Sequence, residues 1–422
     1  MRALFHRLSN LAALAFAIGA LALSAAAHNA NAADATIVFE YDPSIKNEWV
    51  RTSPEGGYCA VHACAGKEAP VNIPVQVNYG AMLAGDPDPR MGAYFRFLGS
   101  TWKYPWLRHD ITGHEVQMSA RVGRFGGSYH MNPSPMDITG NDNYYWAHNQ
   151  LWSDTWWEYV GSICRSHGEF HIGMNTQTFF WGISDPSGSC NPKHAFDIPA
   201  GALTLESHML TVDIIANRPN PFKMQSGTYR TTIEYTLGGR GADLDFGDNA
   251  TPSQPTVTIE YVLIVRHAFN LVIPPGSDRA VLEPPGGWTA WLNRGQAPTK
   301  LAREIPFTFS STGGVAVSLR CDSARPIGDR CGISNGTAEV PVNVELTIPG
   351  MTSESGAPVQ RTALRVGTPL HLLATGITTN ARSKLNIEVD QVGVSEVVKH
   401  PGTKFEGQLT VVFDSDPSPP PR

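Results

Sequence analysis

The chain has 422 residues, of which 40 are Gly, 32 are Pro and only 17% are charged; this excludes a protein of long helices and points to an ordered, turn-rich β class. The 32 basic and 38 acidic side chains give a formal charge of −6, which argues against nucleic acid as a partner. The length exceeds what one hydrophobic core serves, so two domains are expected.

Arg2 and Arg7 precede an apolar run from Leu8 to Ala27, and Ala30-Asn31-Ala32 has the small-x-small form of a cleavage site. Residues 1–32 are therefore expected to be a signal peptide, with the mature chain exported. All six cysteines follow it, in local pairs: Cys59 with Cys64, Cys164 with Cys190, Cys321 with Cys331. Sequential disulfides are favoured, because short loops close at low entropic cost and export leads to an oxidising compartment. Zinc would need close Cys-x-x-Cys or Cys/His pairs.

Tyr144, Tyr145, Trp146, Trp152, Trp156 and Trp157 crowd into the segment 144–157. Aromatic faces stack on sugar rings, which makes Tyr145, Trp146, Trp152 and Trp156 candidates for a glycan platform; the plainer expectation is sandwich core. In His167-Gly168-Glu169-Phe170-His171, Gly168 and the place of Glu169 break the helical His-Glu-x-x-His order of a zinc protease. A surface histidine pair without metal is expected there.

Tyr229, Thr231, Ile233, Tyr235 and Leu237 alternate as a strand and end at Gly238-Gly239-Arg240-Gly241, the clearest boundary in the chain. Domains are accordingly expected at 33–240 and 241–416, with 417–422 a disordered tail. Asp243, Asp245 and Asp248 are oxygen donors of the kind calcium takes, but the loop pattern with its closing glutamate is missing, which favours a turn. Further alternations run over Val257–Val265, Val315–Cys321, Val340–Ile348 and Leu385–Val389. Pro341 cannot donate to a ladder, so its strand belongs at an edge or a bulge. Such strands, separated by Gly and Pro turns, predict an antiparallel sandwich. In the last strand Leu409, Val411 and Phe413 share one face and should enter a core. A polar, proline-rich tail follows with nothing to pair beside them, so the second sandwich is expected to be one strand short. There is no Gly-x-Ser-x-Gly elbow or phosphate loop, and an enzyme is not expected.

Several local patterns occur together: Ile198-Pro199-Ala200-Gly201-Ala202-Leu203, then Gly227-Thr228-Tyr229, then Asp243-Leu244-Asp245-Phe246-Gly247-Asp248-Asn249. The short Cys321 to Cys331 loop follows, and the chain closes with Pro401-Gly402-Thr403, Glu406-Gly407 and the Leu409-to-Phe413 run. In this order the chain resembles the tip adhesins of colonisation-factor (class 5, alternate chaperone–usher) fimbriae, the CblD-like pilus biogenesis initiators. The resemblance implies an all-β fold of two immunoglobulin-like antiparallel β-sandwich domains, the C-terminal one lacking its final strand. It implies export through the periplasm to the cell surface, at the fimbrium tip. The implied partners are a periplasmic chaperone, an outer-membrane usher, a major pilin subunit that donates a β-strand, and a host-cell receptor, with glycans among the receptor classes. No cofactor is implied. The resemblance implies receptor binding at Arg51 and Arg218, whose planar forks suit carboxylates such as those of sialic acids; the plainer expectation is a pair of solvated surface arginines. Two readings stand beside this one: an assembly initiator without receptor binding, and a secreted sugar-binding or glycosidase sandwich that folds alone.

Overall fold

The computed structural model describes residues 33–414, apart from 44, 154–155, 161–162, 278 and 322–325. The signal peptide expected at 1–32 and the tail expected at 417–422 lie outside these residues. The described chain is all-β, built as two sandwiches with separate cores. Among the described residues no helix is long and apolar enough to cross a membrane.

The alternation along Gly227–Gly238 and Thr256–Val265 buries one face of each strand, including Tyr229, Ile233, Tyr235, Ile259, Tyr261 and Leu263. The two strands pair antiparallel over their length, and Thr256–Val265 also pairs in parallel with Ala35–Asp42. Lys46–Arg51 closes that side of the sheet, while Leu244–Asp245, Phe95–Arg96 and Ser189–Cys190 extend the other. The second sheet centres on the long strand Ser119–Met131, which pairs with Thr176–Ile183, Leu203–Leu205 and Thr211–Asn217. Side chains of both sheets merge into one aromatic core. Phe179 and Trp181 lie 4.4 Å apart between ring centroids, and Phe95 from the first sheet meets Phe125 from the second at 5.9 Å.

This pairing moves the domain boundary. Gly238-Gly239-Arg240-Gly241 is a turn within the first domain: Leu244 and Phe246 just beyond it are buried in the first core, and Thr256–Val265 is an inner strand of the first sheet. The first core runs to Val265 and the second begins with Phe269. The sandwich is also not wholly antiparallel, since Ala35–Asp42 with Thr256–Val265 and Gly227–Gly238 with Leu244–Asp245 are parallel pairs.

In the second domain, one sheet has the order Phe269–Val272, Leu301–Ser311, Thr378–Val389, Glu339–Thr347, Arg330–Ser334, Pro326–Ile327. The facing sheet has the order Met351–Ser353, Leu370–Ala374, Val315–Cys321, Leu409–Asp414. The strand bearing Pro341 lies between Thr378–Val389 and Arg330–Ser334 rather than at an edge; Pro341 itself sits opposite Gly332, while pairing with Thr378–Val389 begins only at Asn343. Among the described residues, Leu409–Asp414 stands at the end of its sheet, paired with Val315–Cys321. Its Leu409, Val411 and Phe413 pack against the second core but remain only partly buried, with the Phe413 ring 5.8 Å from Phe307 and 6.2 Å from Phe309. Disulfides join Cys59 to Cys64, Cys164 to Cys190 and Cys321 to Cys331.

Candidate functional site

The aromatic segment divides along a short helix, Tyr144–Leu151. Asn143 caps its start by accepting a hydrogen bond from the Trp146 backbone N–H at 3.2 Å. The helical period then sorts the side chains. Tyr144, Tyr145 and Trp146 are exposed, whereas Ala147, His148 and Leu151 face inward. Trp152 and Trp157 are 0% exposed. The Trp152 indole N–H donates to the Tyr129 hydroxyl at 2.7 Å, and its ring lies 5.1 Å from that of Trp157. Trp152 is therefore core and has no face to offer a sugar, which corrects its place in the expected platform.

The remaining candidates do come together. Tyr145 lies 4.8 Å from Trp156 and 5.4 Å, edge-on, from Trp146, and Trp156 meets Phe170 edge-on at 5.5 Å. Sequence reasoning missed Phe170, which arrives from a separate segment. The result is a patch of aromatic faces and edges on the surface, the type of surface on which the apolar face of a pyranose ring stacks.

The two arginines are held inward. Arg51 donates from Nη2 to the carbonyl oxygens of Pro54 at 2.7 Å and Pro70 at 2.9 Å, and from Nε to Ser53 Oγ at 3.1 Å. Burial pushes its pKa down, an effect partly offset by the nearby Glu55 and Asp213 carboxylates. Arg218 donates to Glu68 Oε1 at 2.6 Å, and its guanidinium lies over the Phe39 ring at 4.0 Å. Arg218 also lines an open cleft of about 550 Å³ with Tyr41, Trp49 and Phe222. Arg51 Nη1 and Arg218 Nε are buried with no hydrogen-bond partner among the described residues. Arg51 Nε and Nη2 and Arg218 Nη1 are thus engaged by the protein itself.

Asp243, Asp245 and Asp248 do not form a calcium cage. Arg90 binds Asp245 through two bonds of 3.0 Å and Asp248 through one of 2.7 Å, Arg240 reaches Asp248 at 2.9 Å, and Lys103 reaches Asp243 at 3.0 Å. The Arg90 and Arg240 hydrogen bonds hold the Asp248 carboxyl down at about 2. The cluster braces the turn that follows Gly238.

No family model and no curated protein matches the sequence. Among solved structures the chain is similar to CfaE, the adhesive subunit of the CFA/I fimbria of enterotoxigenic Escherichia coli. That likeness has 10% identity over 90% of this chain and 91% of that one, with a TM-score of 0.24. It is also similar to a chain in the CsuC–CsuE chaperone–tip adhesion subunit complex from archaic chaperone-usher Csu pili of Acinetobacter baumannii, at 10% identity over 90% and 99% of the two chains, with a TM-score of 0.20. Likenesses this loose carry no argument about function, which rests on the chain's own strands and side chains.

Proposed function

We propose that the chain is the minor tip subunit of a chaperone–usher fimbria: its second domain takes a β-strand from a neighbouring pilin, and its first domain contacts a host-surface receptor. The observation that carries the reading is the strand Leu409–Asp414, which ends its sheet among the described residues with Leu409, Val411 and Phe413 only partly covered. An edge of this kind is a template for strand addition, in which ladder bonds give affinity and alternate side chains fill pockets. The closing motif and the export signal in the sequence agree with it. For the receptor, the Tyr145–Trp146–Trp156–Phe170 patch is the better candidate, because Arg51 and Arg218 already serve internal partners.

Expression of the mature chain with and without a candidate periplasmic chaperone tests the assembly role. The expected result is a one-to-one complex in which the chaperone stabilises the second domain, and a second domain that is equally stable without the chaperone would sink the proposal. Adhesion to host cells tests the receptor role separately. Tyr145→Ala with Trp146→Ala should abolish adhesion while chaperone binding persists. Normal adhesion by the double variant would leave the assembly-initiator reading in its place.

A further inference from the structure

Beneath the Cys59–Cys64 disulfide lies a small core of its own, formed by Tyr58, Cys59, Cys64 and Phe180. A column of rings rises from it to the surface. Phe180 stacks on Tyr58 at 5.5 Å, Tyr58 touches His62 at 4.8 Å, and His62 stacks on His171 at 4.4 Å. Glu169 joins at the top, with Oε2 3.2 Å from His171 Nε2 and 4.0 Å from His62 Nδ1. The three donor atoms all lie within 4.8 Å of one another, and among the described residues no other trio of His, Cys, Asp or Glu does so.

The scaffold fixes this arrangement. Glu169 and His171 are two apart on an extended segment and so share a face, with Phe170 turned to the aromatic patch. That segment is tied to the disulfide loop by a bridge between Cys64 and Gly168, by the Glu169 N–H donating to Ala63 O at 3.2 Å, and by the Ala65 N–H donating to His167 O at 2.6 Å. The Tyr58 hydroxyl donates to the Glu169 carbonyl from below. Gly168 is needed for this close approach, since a Cβ there would meet the Tyr58 hydroxyl and Phe180 Cβ at 2.8 Å.

We propose that His62 Nδ1, Glu169 Oε2 and His171 Nε2 form a binding site for a divalent first-row transition metal, with zinc the best fit. Ligands bound to zinc at about 2.0–2.1 Å in a tetrahedron lie roughly 3.3 Å apart. The His171–Glu169 spacing of 3.2 Å already matches, and the His62–Glu169 spacing must close from 4.0 Å to roughly 3.3 Å. Two imidazoles and one carboxylate form a donor set of borderline softness, suited to zinc rather than to calcium or magnesium. Three protein ligands leave the fourth position to water or to an oxygen or nitrogen donor of a partner molecule. The bound ion would clamp the disulfide loop to the 168–171 segment beside the aromatic patch.

The test uses the disulfide-bonded mature chain, stripped with EDTA and titrated with Co²⁺ and then Zn²⁺. One Co²⁺ per chain should bind with the visible absorption of a four-coordinate site, and one Zn²⁺ should displace it and raise the melting temperature reversibly. His171→Gln and Glu169→Gln, both at exposed positions, should each weaken zinc binding by at least about tenfold. Their melting temperatures in EDTA should match the parent, and His208→Gln, outside the cluster, should bind zinc as the parent does. Absence of saturable binding, or equal binding by His171→Gln and the parent, would overturn the assignment.

Discussion

His148 sits wholly inside the first domain, with Nε2 3.1 Å from the Gly173 carbonyl oxygen and Nδ1 2.7 Å from the Tyr129 hydroxyl. Burial pushes its pKa down from 6.5 to about 4, against the opposing pull of backbone carbonyls. Above pH 6.5 the ring is neutral whether the chain is folded or not, and its contribution to stability is complete. As pH falls from 6.5 towards 4, the unfolded chain takes up a proton that the folded chain refuses, and stability declines. Over that window the loss comes to about 3 kcal/mol, at 1.36 kcal/mol per unit. Thermal melts at pH 7 and pH 4.5 should show this drop, and His148→Gln should shrink it. Asp248 acts in a separate, more acidic window: its lowered carboxyl supports the fold above its ordinary pKa and ceases to do so as pH falls towards 2. The two tryptophans that sequence placed together part at this scale as well. Trp152→Ala should cost about 3–5 kcal/mol through the cavity it leaves, whereas exposed Trp146→Ala should stay within about 0.5 kcal/mol, as measured by denaturant unfolding. Arg218→Ala should lower stability by about 1–3 kcal/mol by stranding Glu68 and uncovering Phe39.

The strand Thr256–Val265 decides where the first domain ends. Its alternation was plain in the sequence, and its strand character and inward face were legible from it. Alternation tells which residues face a core but not which core. The deciding partner, Ala35–Asp42, lies more than two hundred residues earlier in a parallel register from Ala35 opposite Ile259 to Tyr41 opposite Val265. The glycine cluster from Gly238 to Gly241 marks a turn, and a turn inside a domain carries the same sequence signal as one between domains. A fragment of residues 33–240 should therefore fail to fold, lacking an inner strand, whereas 33–267 should melt cooperatively with its two disulfides formed; circular dichroism of both fragments distinguishes the outcomes. The helix Tyr144–Leu151 explains a second gap. Without knowing that the period there is helical, nothing sorted Tyr145 and Trp146 from Trp152 and Trp157. The metal-type cluster was half visible, as Glu169 and His171, but His62 reaches it only through the fold of the disulfide loop.

At the scale of the whole molecule, the two domains meet at His267, whose ring Nε2 lies 3.1 Å from the carbonyl oxygens of both Pro221 and Met224. Gly313 of the second domain packs so closely on this ring that an added Cβ would stand 2.4 Å from His267 Cγ. Ser311 Oγ accepts from the Gly313 N–H at 3.3 Å on the same side. This junction joins a domain that carries an aromatic patch to a domain whose strand Leu409–Asp414 stands, among the described residues, at the end of its sheet. The central claim is that the second domain is short of a strand. Calorimetric melting of the full mature chain, with an alternating apolar–polar donor segment fused after Arg422 through a flexible linker, tests it most directly. The fused chain should show a markedly higher transition for the second domain while the first is unmoved, and a scrambled segment should give no gain. If the unfused chain already melts with both transitions cooperative and the fusion raises neither, the second domain is complete as it stands and the account fails.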